Sequence, residues 1–261
     1  MNSQRDASNF HNFPIAQNQS LLSLKNLFQS ILIKVLIMIR KSTSKKSTAI
    51  KICGITKTSQ AKSIAQFKIN AIGVIGVKNS PRFVAEEECI KIFNEVEKVS
   101  SDIEKVFVIA NEKLETIKCI NNRSNSPSVI QLHGNESVDY CRELKNEFPR
   151  IKLWKAFRLK SINDLKIISQ YEKDVDAILL DAWDDKSLGG TGKRVPKEFL
   201  FNKTFKAPWI LAGGISAEII PEIFSKLRPD GIDASSRLEV SPGIKDLKKV
   251  ESLVRKIREQ N

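Results

Sequence analysis

The sequence predicts an α/β protein, a (β/α)8 TIM barrel preceded by an N-terminal extension, and three observations carry that expectation. Short β-branched runs alternate with longer amphipathic stretches eight times from Ala49 onward, the rhythm of a parallel sheet covered by helices. Residues 49–261 give a length near the lower end of the ~200–400 residues that such barrels use. Polar and glycine-rich residues fall just after the strands, on the rim where a barrel builds its chemistry. A doubly wound open sheet is the alternative, but no G-x-G-x-x-G follows the first strand.

The first strand, 49–53 (AIKIC), hands over to a helix at 58–68 that Thr58 can open. A second strand at 71–75 (AIGVI) precedes a helix at 84–98, and a third at 105–109 (KVFVI) precedes one at 112–122. Strand 128–132 (SVIQL) leads to a helix at 136–147 with Ser137 at its start, and 151–157 (IKLWKAF) leads to one at 161–171. After strand 176–181 (DAILLD) comes the weakest helical pattern, 194–202. Strand 208–212 (PWILA) is followed by a helix at 216–226 opened by Ser216, and strand 230–234 (DGIDA) by a helix at 244–259. Interleaved Lys and Glu, as in NEVEKVSSDIEKVF, read as solvated helix faces.

The formal charge of +13 is uneven, since residues 1–48 hold seven Lys/Arg against the single acid Asp6. Such an excess suits an anionic partner, and phosphorylated metabolites qualify as well as polymers do. No basic stripe interleaved with aromatics marks a nucleic-acid surface. The four cysteines, Cys53, Cys89, Cys119 and Cys141, lie far apart without a C-x-x-C, and the only histidines are His11 and His133. That inventory argues against zinc and against a Ser-His-Asp triad, and for a reduced, cytoplasmic chain.

Residues 1–48 form the extension, polar at first, then apolar over 21–39, then basic. Lys25 and Lys34 interrupt the apolar run, leaving it too short for a membrane span. The segment is expected to be poorly ordered, with two accounts open. It is Ser-rich and acid-poor like a transit peptide, which would direct the chain to an organelle. Alternatively the start is misassigned, and Met38 gives only a short leader before the first strand.

Cys53 ends strand 1 beside a glycine, a place where a side chain can meet a ligand rather than fill a core. The other three cysteines lie within helical patterns and read as small buried hydrophobes. NSPR follows strand 2, HG strand 4, Asp181 ends strand 6, GG follows strand 7 and SS strand 8. KICGIT, NSPR, IQLHG, LLDA with GGTGK, LAGGI and DASSRLE with SPGIKD stand in the order and spacing of a known family. The chain resembles phosphoribosylanthranilate isomerase over about residues 49–257. That resemblance implies an Amadori rearrangement in tryptophan biosynthesis. N-(5-phosphoribosyl)anthranilate would become 1-(2-carboxyphenylamino)-1-deoxyribulose 5-phosphate, with neither a metal nor an organic cofactor. The expected partner is that small phosphorylated substrate, with no nucleic acid and no membrane.

The resemblance further implies roles for individual residues. Cys53 matches the general base, which needs a local field favouring thiolate. Asp181 matches the general acid, emerging from an apolar strand where burial keeps a carboxyl protonated. Arg82 matches the arginine that grips the anthranilate carboxylate; otherwise it is a surface arginine opening a helix. Asp233 matches a family aspartate near the substrate amine, and His133 reads from its place in QLHG as lining the ribose pocket, the alternative being a satisfied structural residue. Gly213, Gly214, Ser235 and Ser236 suit the phosphate, with a short helix start after strand 8 supplying further donors. GGTG, 189–192, reads as a mobile loop over the site. Two departures stand out. Arg237 replaces a glycine usual after SS, and strains the loop if a positive φ is needed there; alternatively its charge reaches the phosphate. RVPKEF replaces the usual Phe-Asp-Trp after GGTGK.

Rival readings fare worse. An isomerase acting on an aminoimidazole substrate would want an aspartate where Cys53 stands. The indole-forming synthase would want lysines at strand ends, and none is evident in the matching places. A non-catalytic basic barrel tethered by residues 21–39 is the reading from a different class.

Overall fold

All eight predicted strands form, and they pair in chain order around a closed parallel barrel. The computed structural model describes residues 47–121, 126–182 and 196–260. The chain divides into two units, Met1–Lys46 and Ser47–Asn261, of which the second holds the barrel. All but the last two residues of the expected extension lie outside the described residues, as does GGTG.

The strands are β1 (Ala49–Cys53), β2 (Ala71–Ile75), β3 (Glu104–Ile109) and β4 (Val129–Leu132). They continue with β5 (Lys152–Leu159), β6 (Ala177–Ala182), β7 (Trp209–Leu211) and β8 (Gly231–Ala234). Closure comes from β1, which pairs with β2 on one side and β8 on the other, setting Lys51 against Asp233. The helices are α1 (Thr58–Ala65), α2 (Glu86–Val99), α3 (Leu114–Asn121), α4 (Val138–Glu147), α5 (Ile168–Tyr171), α6 (Ile220–Lys226) and α7 (Leu247–Arg258).

Period-two alternation sorts the strand residues into two cores. Ile52, Ile72, Ile130 and Ile178 point outward and meet Ile64, Phe93 and Leu253 of the helical layer, all completely buried. Each such side chain contributes about 1.5–3 kcal/mol on burial. The inward residues form smaller clusters, one of Cys53, Ala71, Val106, Val108 and Val129, another of Ala156, Ala177, Leu179, Ile210 and Ala212. Trp154 packs against both. The barrel interior is therefore filled below its carboxyl rim, and small side chains leave room only at the mouth.

Most helices begin a residue or two inside their expected limits, and the larger differences have local causes. Ser137 caps α4 by accepting from Tyr140 N at 3.2 Å, as its position suggested. The helix expected over 161–171 starts as a 3-10 turn, Ile162–Ile167, held by a capping box between Ser161 and Asp164. The stretch 216–226 splits likewise, a 3-10 turn at Ala217–Ile219 preceding α6, which carries a proline in its first turn. The weak helix at 194–202 is a single 3-10 turn, Lys197–Leu200. The last helix starts three residues later than expected. Ile244–Lys245 (β10) pairs antiparallel with Glu239–Ser241 (β9), and Asp246 then caps α7 by accepting from Lys248 N and Lys249 N. Among the described residues no helix is long and apolar enough to cross a membrane.

β1 supplies both seams of the closure, and just before it the buried Thr48 donates its hydroxyl to Pro229 O at 3.2 Å. A chain beginning at Met38 should keep the melting temperature and turnover of the full chain, measured by calorimetry and progress curves. A melting point many degrees lower would show that residues 1–37 contribute to the folded barrel.

Candidate active site

Alternation along β1 turns Lys51 and Cys53 to the same inner face, one layer apart. Both are buried. Lys51 Nζ donates to Asp233 Oδ2 at 2.7 Å, across the β1–β8 seam. Burial works against the Lys51 charge, but the Asp233 carboxylate outweighs it and raises the ammonium pKa above its ordinary value. Burial pushes the Cys53 thiol above its ordinary value, and the Lys51 charge offsets only part of that rise. Asp233 Oδ1 is buried with no partner among the described residues. A buried acceptor left open at a barrel mouth suits a ligand that brings a donor.

Gly54, the next residue, holds φ +76°. A Cβ there would stand 2.6 Å from Arg82 Cδ and 3.0 Å from Ser235 Oγ. Glycine is needed twice over, for the left-handed turn and for the approach of two side chains beside the thiol.

On the far side of the mouth, β4 and β6 bring a second group together. Gln131 Nε2 donates to His133 Nδ1 at 3.1 Å, which places the imidazole proton on Nε2. His133 Nε2 faces Asp181 Oδ2 at 3.5 Å, and Asp181 Oδ1 accepts from Ala182 N at 2.8 Å. His133 and Asp181 are both buried at the rim. Beneath them a structural pair holds the β4 loop. Glu136 accepts from the backbone of Asn111 and Gly134, and meets Lys155 Nζ at 3.0 Å.

Arg82 is not a surface residue opening a helix, for it is 6% exposed and anchored. Its Nε and Nη2 donate to the two Glu239 carboxylate oxygens at 2.8 and 2.7 Å, a bidentate pair. Lys245 Nζ joins from below, 2.7 Å from Glu239 Oε1 and within 3.3 Å of both Ser235 oxygens. Burial opposes the Glu239 charge, yet the two cations overcome it and hold the carboxyl below its ordinary range. This clamp ties the loop after β2 to the hairpin after β8.

Gly213 and Gly214 follow β7 with φ of +88° and +61°, and Ser235 and Ser236 follow β8 beside them. The expected helix start after β8 is only a three-residue 3-10 turn, Ser236–Leu238. Arg237 lies inside that turn and is absent from the positive-φ positions of the described residues, so the strain expected of it does not arise. The local turn is right-handed, and an arginine fits it as well as a glycine. A cavity of about 230 Å³ opens beside Gly213, lined by Leu200, Leu211, Ile219 and Ile223. It reaches neither Cys53 nor Asp181, and Leu211 belongs to the outer core, so this space lies behind β7.

Cys89 and Cys141 are buried helix residues, as expected. Burial pushes the Cys141 thiol up to about 12 and that of Cys89 further still, leaving both inert. Lys51, Gln131, Glu239 and Lys245 went unnoticed as site residues. The signal for Lys51 was available: a lysine inside an apolar strand, two residues before the cysteine, must share its face.

The closed barrel and its polar carboxyl rim define a (β/α)8-barrel enzyme. A sequence model of the family "N-(5'phosphoribosyl)anthranilate (PRA) isomerase" matches residues 50–256. The chain belongs to the phosphoribosylanthranilate isomerase family, and it is an isomerase. It is 40% identical over 208 residues to the N-(5'-phosphoribosyl)anthranilate isomerase of Nostoc punctiforme, covering 80% of this chain and 97% of that one. The enzyme of the same name from Crocosphaera subtropica is 38% identical, with 81% and 99% covered. Among solved structures, phosphoribosyl anthranilate isomerase from Thermotoga maritima superposes with TM-score 0.72 at 25% identity, covering 81% of this chain and 99% of that chain. A further structure, TM-score 0.67 at 25% identity with the same coverage, holds a phosphoribosyl anthranilate isomerase in complex with reduced 1-(o-carboxyphenylamino)-1-deoxyribulose 5-phosphate.

The Arg82–Glu239–Lys245 clamp sets a clear expectation for stability. Glu239→Ala leaves two buried cations without their carboxylate and should cost about 3–5 kcal/mol, read from urea unfolding. The folded Glu239 pKa is depressed, so its contribution is complete above the ordinary glutamate value of 4.5 and is lost as pH falls below it. The variant should accordingly show a shallower loss of stability through that acid range. A second expectation follows from the turn at Arg237. Arg237→Gly should not stabilise the fold, because there is no positive φ to relieve; a raised melting temperature would contradict the right-handed turn.

Proposed function

We propose that Cys53 and Asp181 divide the proton transfers by which this isomerase of tryptophan biosynthesis rearranges its phosphoribosyl substrate. One observation carries the reading: a thiol on β1 and a carboxyl on β6 reach the same rim, separated by β7 and β8, so that they address a substrate from opposite sides. Asp181 gives its proton to the ribose ring oxygen, and the C1′–O bond breaks to leave an iminium. Cys53, as thiolate, removes the C2′ proton, and the electron pair of that C–H bond neutralises the iminium to form an enolamine. Tautomerisation delivers the ketone. Atoms and charge balance without a co-reactant, and each positioned transfer contributes roughly 10²–10⁴-fold.

The remaining roles follow from position. The open Asp233 Oδ1 accepts from the substrate amine, and Arg82 meets the anthranilate carboxylate. His133 sits beside Asp181 with its Nε2 proton directed at the carboxyl and the ribose. Main-chain donors at Gly213–Gly214 and Ser235–Ser236 bind the phosphate, in substrate and product alike. The proposal includes a cytoplasmic enzyme, since a thiol base needs a reducing compartment.

Two variants separate chemistry from binding. Cys53→Ala should lower kcat at least about 10²-fold in a folded protein, and Asp181→Asn should do the same while leaving the Kd of a reduced product analogue nearly unchanged. Gly214→Val, placing a branched side chain at a positive-φ position of the phosphate loop, should weaken that Kd. Single-turnover rates and calorimetric Kd values decide the matter. Normal turnover in folded Cys53→Ala removes the thiol from the mechanism, and loss of analogue binding in Asp181→Asn makes that residue a binding group.

A further inference from the structure

The thiol that is read as the base is badly placed for ionisation by burial alone. Cys53 is 6% exposed, and from β2, β3 and β4 it meets the apolar Ala71, Val106, Val108 and Val129. Three charged side chains act on it from the remaining sides: Lys51 on β1, Asp233 on β8 and Lys245 on β10. Of these, Lys51 has the largest influence, and its stem lies around the same point of β2 as the sulfur, yet burial prevails and keeps the thiol above its ordinary value.

The geometry of that approach is set by β2. A Cβ at Gly73 would stand 2.6 Å from Cys53 Sγ and 3.1 Å from Lys51 Cε. Gly73 pairs directly with Cys53 in the β1–β2 ladder, so the missing side chain is a socket into which both the sulfur and the lysine stem settle. Asp233 completes the arrangement, holding Lys51 Nζ at 2.7 Å with a side chain 9% exposed. Lys51 is thus held by a carboxylate while its stem shares the socket with the sulfur.

Resting on the assignment of Cys53 as base, we propose that Lys51 is a positioning residue whose ammonium, anchored by Asp233 and seated against Gly73, favours ionisation of Cys53 to the thiolate that removes the C2′ proton. Lys51 touches no reacting atom. It acts by supplying a buried positive charge that the sulfur needs and that the apolar β2–β4 wall cannot give. Asp233 has a double part: it fixes the ammonium in place, while its own negative charge opposes the thiolate.

The opposed signs supply the test. The ionisation midpoint of Cys53 is read directly, without turnover, from thiolate absorbance near 240 nm, as the difference between each protein and its Cys53→Ser counterpart. Lys51→Met should raise the midpoint by about one pH unit or more, a tenfold loss of thiolate. The pH profile of kcat/KM should move up with it, so that activity lost at neutral pH returns in alkali. Lys51→Arg keeps the charge and should restore most of the shift. Asp233→Asn should move the midpoint down, because a carboxylate next to the sulfur has gone while the ammonium remains. A purely structural lysine would lower stability without moving a thiol midpoint in opposite directions. Should Lys51→Met fail to fold with Asp233 left unpaired, the double variant Lys51→Met/Asp233→Asn carries both neutral isosteres. Its midpoint should lie above that of Asp233→Asn alone. An unchanged midpoint in folded Lys51→Met, or a double variant no higher than Asp233→Asn, overturns the proposal. Failure of the underlying base assignment looks different: the midpoints move as stated, yet Cys53→Ala turns over normally.

Discussion

Closure of the barrel between β1 and β8 is the constraint from which the site follows. The register that pairs Lys51 with Asp233 joins residues 182 apart in sequence and places an ion pair inside the barrel, below the rim. Had the strands slipped by one residue, alternation would have turned Lys51 and Cys53 outward into the helical layer and Ile52 inward. A buried lysine tolerates only the register that gives it a carboxylate. The same pairing therefore closes the sheet and aims the sulfur at the mouth.

The polar groups at the rim fall into two halves of different character. Around β1 and β8 the cations Lys51 and Lys245 flank the thiol, with Asp233 and Glu239 as their counter-ions. Around β4 and β6 an amide, an imidazole and a carboxyl stand in line, with Gln131 setting the tautomer that His133 presents to Asp181. Groups meant to take and give protons work best when their surroundings differ. Here the difference is built from which strands supply charge and which supply neutral hydrogen-bonding groups. The apolar wall of β2 and β3 keeps water from blurring it.

Arg82 shows how one side chain couples the site to the frame. It reaches from the loop after β2 to Glu239 beyond β8, passing a glycine that has no Cβ to obstruct it. One edge of its guanidinium is committed to holding two rim loops together, and a planar fork can do so while directing its other edge elsewhere. Lysine in its place would offer a point charge without that geometry. The position of Arg82 is thus tied to the integrity of the β9–β10 hairpin through Glu239.

Much of this was legible in the residues. Eight strands, their order, and the rim location of Cys53, Asp181 and the two glycine and serine pairs follow from period-two and period-3.6 patterns, which depend on nearest neighbours along the chain. The limits of the last helix were less legible, because Gly243 and Asp246 divert the backbone into a hairpin before the helix can start. Which account of Arg237 holds was not legible for a similar reason: whether a position needs a positive φ depends on the path of the turn. The partners of Lys51 and Arg82 lay beyond any local pattern. They are separated by 182 and 157 residues from Asp233 and Glu239, and only the closing of the barrel brings those charges into contact. The sequence by itself determined which side chains face inward and at what height along each strand. The tertiary structure alone decided which charges meet there, because Coulombic and hydrogen-bonding partners are selected by distance in space, and barrel closure is what sets that distance.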